Sequence, residues 1–105
     1  MRYGRFGSLA TRPGKRDAAV SILLRGVEEL KPLGCDVYLV HVSEDRPDVV
    51  WVTEVWSSRE AHRASLALPS VRAAIAEAMP LLTGEFESVE FSVVGGLGLP
   101  EGARG

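Results

Sequence analysis

The sequence predicts an α+β protein of the ferredoxin-like kind, a split β-α-β-β-α-β arrangement on an antiparallel four-stranded sheet. Three observations carry this expectation. Apolar residues change period along the chain in that order, from alternation to a 3.6-residue stripe and back again. A short polar connection joins the two central strands, which makes them an antiparallel hairpin. Both strands of that hairpin are apolar at odd and even positions alike, so neither face of the sheet is patterned for water.

The first strand is Arg2–Thr11, which alternates although Gly4 and Gly7 weaken it. Pro13-Gly14 punctuates the chain before a helix. Val20, Leu23, Leu24, Val27 and Leu30 fall on one helical stripe, and Lys31-Pro-Leu-Gly34 ends it. Cys35–Val42 and Val49–Trp56 are the hairpin strands, joined by the polar turn 43–48. Ser57 and Glu60 form a Ser-x-x-Glu capping box that opens a helix reaching about Leu68. Pro69 suits the first turn of a second helical piece, in which Val71, Ala74, Ile75, Ala78 and Met79 repeat the stripe up to Pro80. A turn at Thr83-Gly84 precedes the last strand, Glu85–Val94, with Val89, Phe91 and Val93 on one side. Residues 1–94 thus read as a single domain, and 95–105 as a glycine-rich tail.

Helices on one face of such a sheet leave the apolar second face of the hairpin without cover. A second copy of the chain supplies it, the two sheets closing into a barrel with the helices outside. The expected homodimer buries roughly 1,500 Å² or more.

Composition narrows the chemistry. The 105 residues are 46% hydrophobic and 25% charged, which fits one ordinary globular domain. Twelve basic against fourteen acidic residues, a net charge of −2, gives no electrostatic reason to expect nucleic acid. No apolar run approaches the roughly 18 residues of a membrane span, and arginines interrupt any signal-like core near Met1. A reducing, cytoplasmic setting without a membrane partner is therefore expected. Two histidines and the single Cys35 cannot build a closed zinc site from soft ligands alone. Cys35 reads as a small buried side chain, and Gly95-Gly-Leu-Gly98 lacks the following helix that a phosphate loop needs.

The run Gly34-Cys-Asp-Val-Tyr38, the strand end Val52-Thr-Glu-Val-Trp56 and the following Ser58-Arg-Glu-Ala-His62 resemble the antibiotic biosynthesis monooxygenase family. That family comprises dimeric α+β barrels, quinol monooxygenases and anthrone oxygenases among them. Pro13-Gly-Lys-Arg-Asp17 resembles the family's first-helix opening, and the likeness runs from about Tyr3 to Val94. The resemblance implies an oxygenase without metal or flavin, hence no cofactor. A phenolic, quinol or polyketide-type aromatic is deprotonated, and its anion passes electrons directly to O₂. The implied partners are that small aromatic molecule, O₂ and a second copy of the chain. There are departures. Ser65 stands where many members carry histidine, and Ser70 where they often have histidine or tyrosine. Ile75 stands in place of the haem ligand of the haem-degrading branch, so haem degradation is not expected.

Six residues are candidates for the site. Glu54 interrupts an apolar strand, so it is either ion-paired, with Arg5, Arg63 or Arg72 as partner, or a pocket carboxylate with a shifted pKa. Trp56 shares its strand face and is either core or an aromatic wall for a flat substrate. His62 takes the proton-acceptor role by the resemblance, although a lone histidine early in a helix is commonly exposed. His41 lies on the face of Val37 and Leu39 and lines either the pocket or the dimer interface. Tyr38 is either a barrel packing residue or a proton donor, and Ser65 is either merely small or a hydrogen-bonding partner for a substrate oxygen. Two further functions fit the same chain: a non-catalytic dimeric binding or accessory module, and an isomerase or cyclase using the same base without O₂.

Overall fold

In the computed structural model, which describes residues 1–99, four antiparallel strands hydrogen-bond in the order β2-β3-β1-β4. They are β1 (Arg2–Thr11), β2 (Cys35–Ser43), β3 (Arg46–Trp56) and β4 (Leu82–Val93). The helices are α1 (Arg16–Leu24), α2 (Arg59–Ser65) and α3 (Pro69–Ala78), with 3₁₀ segments at Val27–Leu33 and Met79–Leu81. This is the expected ferredoxin-like order. Residues 95–99 of the expected tail carry no helix or strand, and 100–105 lie outside the described residues.

Pairing fixes which side chains share a face, because directly opposed residues in an antiparallel ladder point the same way. Tyr3 opposes Trp56, Arg5 opposes Glu54 and Leu9 opposes Val50, while Tyr38 opposes Glu54 from the other side. These residues look toward the helices. Phe6, Leu39, His41, Trp51 and Thr53 look the opposite way, by the same registers. A register shift between Cys35 and Val37 places Cys35 and Tyr38 on one face despite their odd spacing. Two small cores result on the helix side. Tyr3, Cys35 and Trp56 form one, with Leu30, Tyr38 and Ala61 packed around it. Ile22, Ala78 and Leu82 form the other.

Several expected boundaries move, each for a local reason. The first helix stops at Leu24 instead of continuing to Leu30, because Gly26 takes a left-handed φ of 75° and starts a 3₁₀ segment. Its buried residues are Ala19 and Ile22, so the expected stripe is rotated and Leu24 is exposed. The hairpin turn tightens to Glu44-Asp45, with Ser43 opposite Arg46, and β3 therefore begins before Val49. Pro47 is tolerated there because pairing with β1 starts only at Val49. The N-cap of α2 is Ser58 rather than Ser57: its Oγ accepts the Ala61 N–H at 3.0 Å, so Glu60 closes no capping box. This helix ends at Ser65, short of Leu68. Thr83-Gly84 lies inside β4 instead of forming a turn before it, beside a pairing irregularity between Leu9 and Thr11.

The helices cover the sheet unevenly. β4 is exposed over nearly its whole length, and Leu39 (52%) and Val89 (61%) leave apolar surface open on the outer face. Among the described residues no helix is long and apolar enough to cross a membrane.

Candidate active site

A cavity of about 720 Å³ lies between the sheet and the helices, within the range of small-molecule sites. Leu9, Leu82 and Phe86 form its sheet side, and Ile22, Leu23 and Val27 come from α1 and the 3₁₀ segment after it. α3 contributes Val71, Ala74, Ile75 and Met79. Ile75 and Met79 belong to the apolar stripe read from the sequence, yet both are exposed because the stripe faces this space rather than solid core.

One group of polar side chains, Glu54, Trp56, Tyr38, His62 and Ser65, lines the cavity together, apart from Arg25, Glu29 and Ser70 elsewhere in its wall. Glu54 and Trp56 are neighbours on one face of β3. The indole Nε1 of Trp56 donates to Glu54 Oε1 at 3.0 Å, and His62 Nε2 lies 3.9 Å from the same oxygen. The carboxylate thus meets an indole and an imidazole; neither Arg63 nor Arg72 forms the expected ion pair with it, and Arg5 pairs instead with Glu90 at 3.5 Å. Ser58 sets the first turn of α2, and one turn of helix then drops His62 onto the sheet. Its ring sits between Trp56, edge-on at 5.5 Å, and Tyr3 at 5.6 Å. Only 8% of the residue remains exposed, against the usual exposure of a lone helix histidine. Ser65, one turn later, donates its Oγ–H to the His62 carbonyl at 2.6 Å and so braces the same turn.

His41 is not part of this group. Its register puts it on the outer face, where Nε2 is 2.8 Å from Thr53 Oγ1 and the ring is 6.5 Å from Phe6. The cavity reading of His41 therefore gives way to the outer-face one, because the bulge after Cys35 decides which strand parity faces the helices.

Electrostatics divides the labour. Burial pushes His62 below the ordinary histidine value; the charge of Glu54 opposes that shift, Arg5 and Arg63 reinforce it, and Glu90 opposes it. His62 is therefore mainly neutral at pH 7 and able to accept a proton. Burial first, and then the nearby Glu54 charge, pushes the Tyr38 phenol far above its ordinary range, so it stays a donor. Cys35 is buried behind the site, and burial, again with Glu54, pushes its thiol up to about 11, which makes it unreactive. Among the described residues no three His, Cys, Asp or Glu side chains are placed to hold a metal ion.

Sequence reasoning missed two groups around the site. Arg25 lines the cavity and pairs with Glu77 of α3. Tyr3 and Glu90 stand behind His62, joined by a hydrogen bond between residues 87 positions apart, for which no local signal exists.

A fold of this order, with a helix-roofed cavity ending in Glu54, Trp56 and His62, defines a small α+β ligand-site protein. The antibiotic biosynthesis monooxygenase profile matches residues 3–77, and the chain belongs to that family. The crystal structure of a candidate antibiotic biosynthesis monooxygenase from Chloroflexus aurantiacus is 42% identical, with a TM-score of 0.87, covering 95% of this chain and all 100% of that one. A candidate of the same designation from Caulobacter crescentus is 23% identical, covers 90% of this chain and 91% of its own, and has a TM-score of 0.80. Rv0793 from Mycobacterium tuberculosis is 19% identical, covers 92% and 99%, and has a TM-score of 0.77. The latter two likenesses concern the fold. No match is found among curated proteins.

Proposed function

We propose that this chain is a cofactor-independent monooxygenase of a phenolic, quinol or polyketide-type aromatic. Family membership supports a monooxygenase-like function in general terms. The observation that carries the finer reading is the contact of His62 Nε2 with Glu54 Oε1, 3.9 Å apart in the cavity wall.

In this reading His62 removes the acidic proton of the substrate, and Glu54 stabilises the imidazolium that forms. The apolar walls exclude water and so raise the energy of the bound anion relative to its oxidation. The substrate anion passes an electron to O₂, the radical pair combines to a peroxide, and loss of water leaves a carbonyl. For an anthrone-type methylene the balance is R₂CH₂ + O₂ → R₂C=O + H₂O, so no external reductant is needed. Tyr38, held protonated, is the hydrogen-bond donor for the developing oxyanion, and Ser65 offers its remaining lone pairs to a substrate hydroxyl. Trp56 forms an aromatic wall at the ring's edge.

The reading includes a homodimer through the outer face. Leu39, Phe6, Trp51 and Val89 make that face apolar, and a second copy of the same face would bury it. Sedimentation at micromolar concentration tests this: the parent chain is expected as a dimer and Leu39→Asp as a monomer.

Oxygen uptake by metal-stripped protein with a panel of quinols and anthrones tests the activity. Turnover above background with at least one is expected, and His62→Ala lowers it by roughly 100-fold. A panel compound that binds without oxygen uptake assigns the cavity to ligand binding. Solvent deuterium entering such a compound without O₂ assigns it to isomerase or cyclase chemistry.

A further inference from the structure

Behind His62, on the side turned away from the cavity, stands a charged cluster that ligand binding does not use. The ring of Tyr3 lies 5.6 Å from the imidazole, and Tyr3 opposes Trp56 in the sheet, so the two rings that bracket His62 come from neighbouring strands. Tyr3 Oη donates to Glu90 Oε1 and accepts from Arg5 at 3.0 Å. Arg59 lies 3.6 Å from Glu90 Oε2, and its guanidinium stands 5.4 Å from the Tyr3 ring centroid. Tyr3, Arg5, Arg59 and Glu90 are not among the residues that line the cavity.

We propose that Tyr3 is a positioning residue for His62: clamped by Glu90, Arg5 and Arg59, its ring holds the imidazole against Trp56 with Nε2 turned to Glu54. This rests on the reading of His62 as the proton acceptor. An imidazole has two side-chain torsions to fix, and His62 Nε2 at 3.9 Å from Glu54 is too far for that contact alone to fix them. The two flanking rings supply the restraint. Tyr3 is itself immobilised at both ends, through its hydroxyl by Glu90 and Arg5 and over its ring by Arg59. Three strands and one helix therefore converge on one orientation. A base misplaced by about 1 Å loses up to 100-fold in rate, which is the scale on which such a clamp acts.

The charged groups that face His62 are Glu54 from β3, Arg5 from β1, Glu90 from β4 and Arg63 from its own helix. Glu90 favours the imidazolium and Arg5 opposes it, so the clamp also carries charge to the ring.

The test follows the two histidine rings by NMR, with His41→Asn assigning them. Tyr3→Phe keeps the ring and removes both hydroxyl bonds; Glu90→Gln keeps the shape and removes the charge. In Glu90→Gln the His62 titration midpoint moves down, because an anion favouring imidazolium is removed. In Tyr3→Leu the His62 ring signals broaden and lose the ring-current shift of Tyr3. Glu87→Gln, a carboxylate on the outer face of β4, leaves the midpoint in place. With any panel compound that is oxidised, Tyr3→Phe lowers kcat by roughly 10- to 100-fold at unchanged KM, since Tyr3 does not line the cavity. A His62 midpoint unmoved in Glu90→Gln, or His62 ring signals that stay sharp in Tyr3→Leu, overturns the clamp. Absence of turnover in the parent chain beside a shifted midpoint and broadened signals overturns the oxygenase reading and leaves the clamp standing.

Discussion

Trp56 Nε1 donates to Glu54 Oε1 at 3.0 Å across one pleat of β3, so a carboxylate set in an apolar strand is satisfied by its own i+2 neighbour. That bond holds Oε1 near His62 without consuming the carboxylate's charge. Glu54→Gln keeps an oxygen for the indole and removes the charge that most opposes the burial effect on His62. The His62 midpoint, followed by NMR titration, is expected to fall further below its parent value. A rise would contradict the arrangement.

Trp56 is 1% exposed and anchors the cluster of Tyr3 and Cys35. Trp56→Ala removes the largest fully buried side chain and leaves a cavity beside an existing one. A loss of about 3–5 kcal/mol is expected from urea unfolding, at the scale of aromatic deletions in cores. A loss below about 1 kcal/mol would mean that the wall at Trp56 is not load-carrying core but replaceable lining.

Stability should fall in mild acid. The folded pKa of His62 lies below the ordinary 6.5, so its contribution is whole above 6.5. It is lost as pH falls toward the lowered value, because the unfolded chain takes the proton first. Glu90 is also lowered, by the Tyr3 hydrogen bond first, but from 4.5, so its contribution fades only below that pH. Thermal midpoints measured between pH 7.5 and 5 should decline in the parent chain and decline less in His62→Gln. Equal slopes in the two would refute the assignment.

Gly34 has φ 111°, and a Cβ there would stand 2.5 Å from Ser57 Oγ. It caps the 3₁₀ segment, and its carbonyl accepts the Ser57 N–H at 2.8 Å. Gly34→Ala should cost about 1–3 kcal/mol from the backbone conformation alone. Adding Ser57→Ala removes the nearest atom and should recover part of the loss, never all of it. Full recovery in denaturant midpoints would show that the contact, and not φ, sets the requirement.

Much of this was legible in advance because it is local. Alternation placed β1 at Arg2–Thr11, Pro69 opened α3, and the doubled apolar pattern of the hairpin matches a sheet with apolar side chains on both faces. Glu54 and Trp56 on one strand face were a readable pair, since residues two apart on a strand point together. What escaped depends on partners far along the chain or on single backbone states. Gly26 could have continued a helix or ended it, and only its left-handed φ decides. The face of His41 turned on one bulged residue, Asp36, which no periodicity announces. The His62 environment needed Tyr3 from one end of the chain and Glu90 from the other.

The exposed length of β4 has a consequence for how copies of this chain meet. An uncovered edge strand offers unpaired backbone groups to any neighbour, the usual start of fibrous stacking. Here the exposed strand carries Glu85 and Glu87, while Glu90 is paired with Arg5 and Arg59 on the helix side. Like charges repel two such edges laid side by side. Open-ended pairing of edge to edge, which grows without limit, is thereby disfavoured.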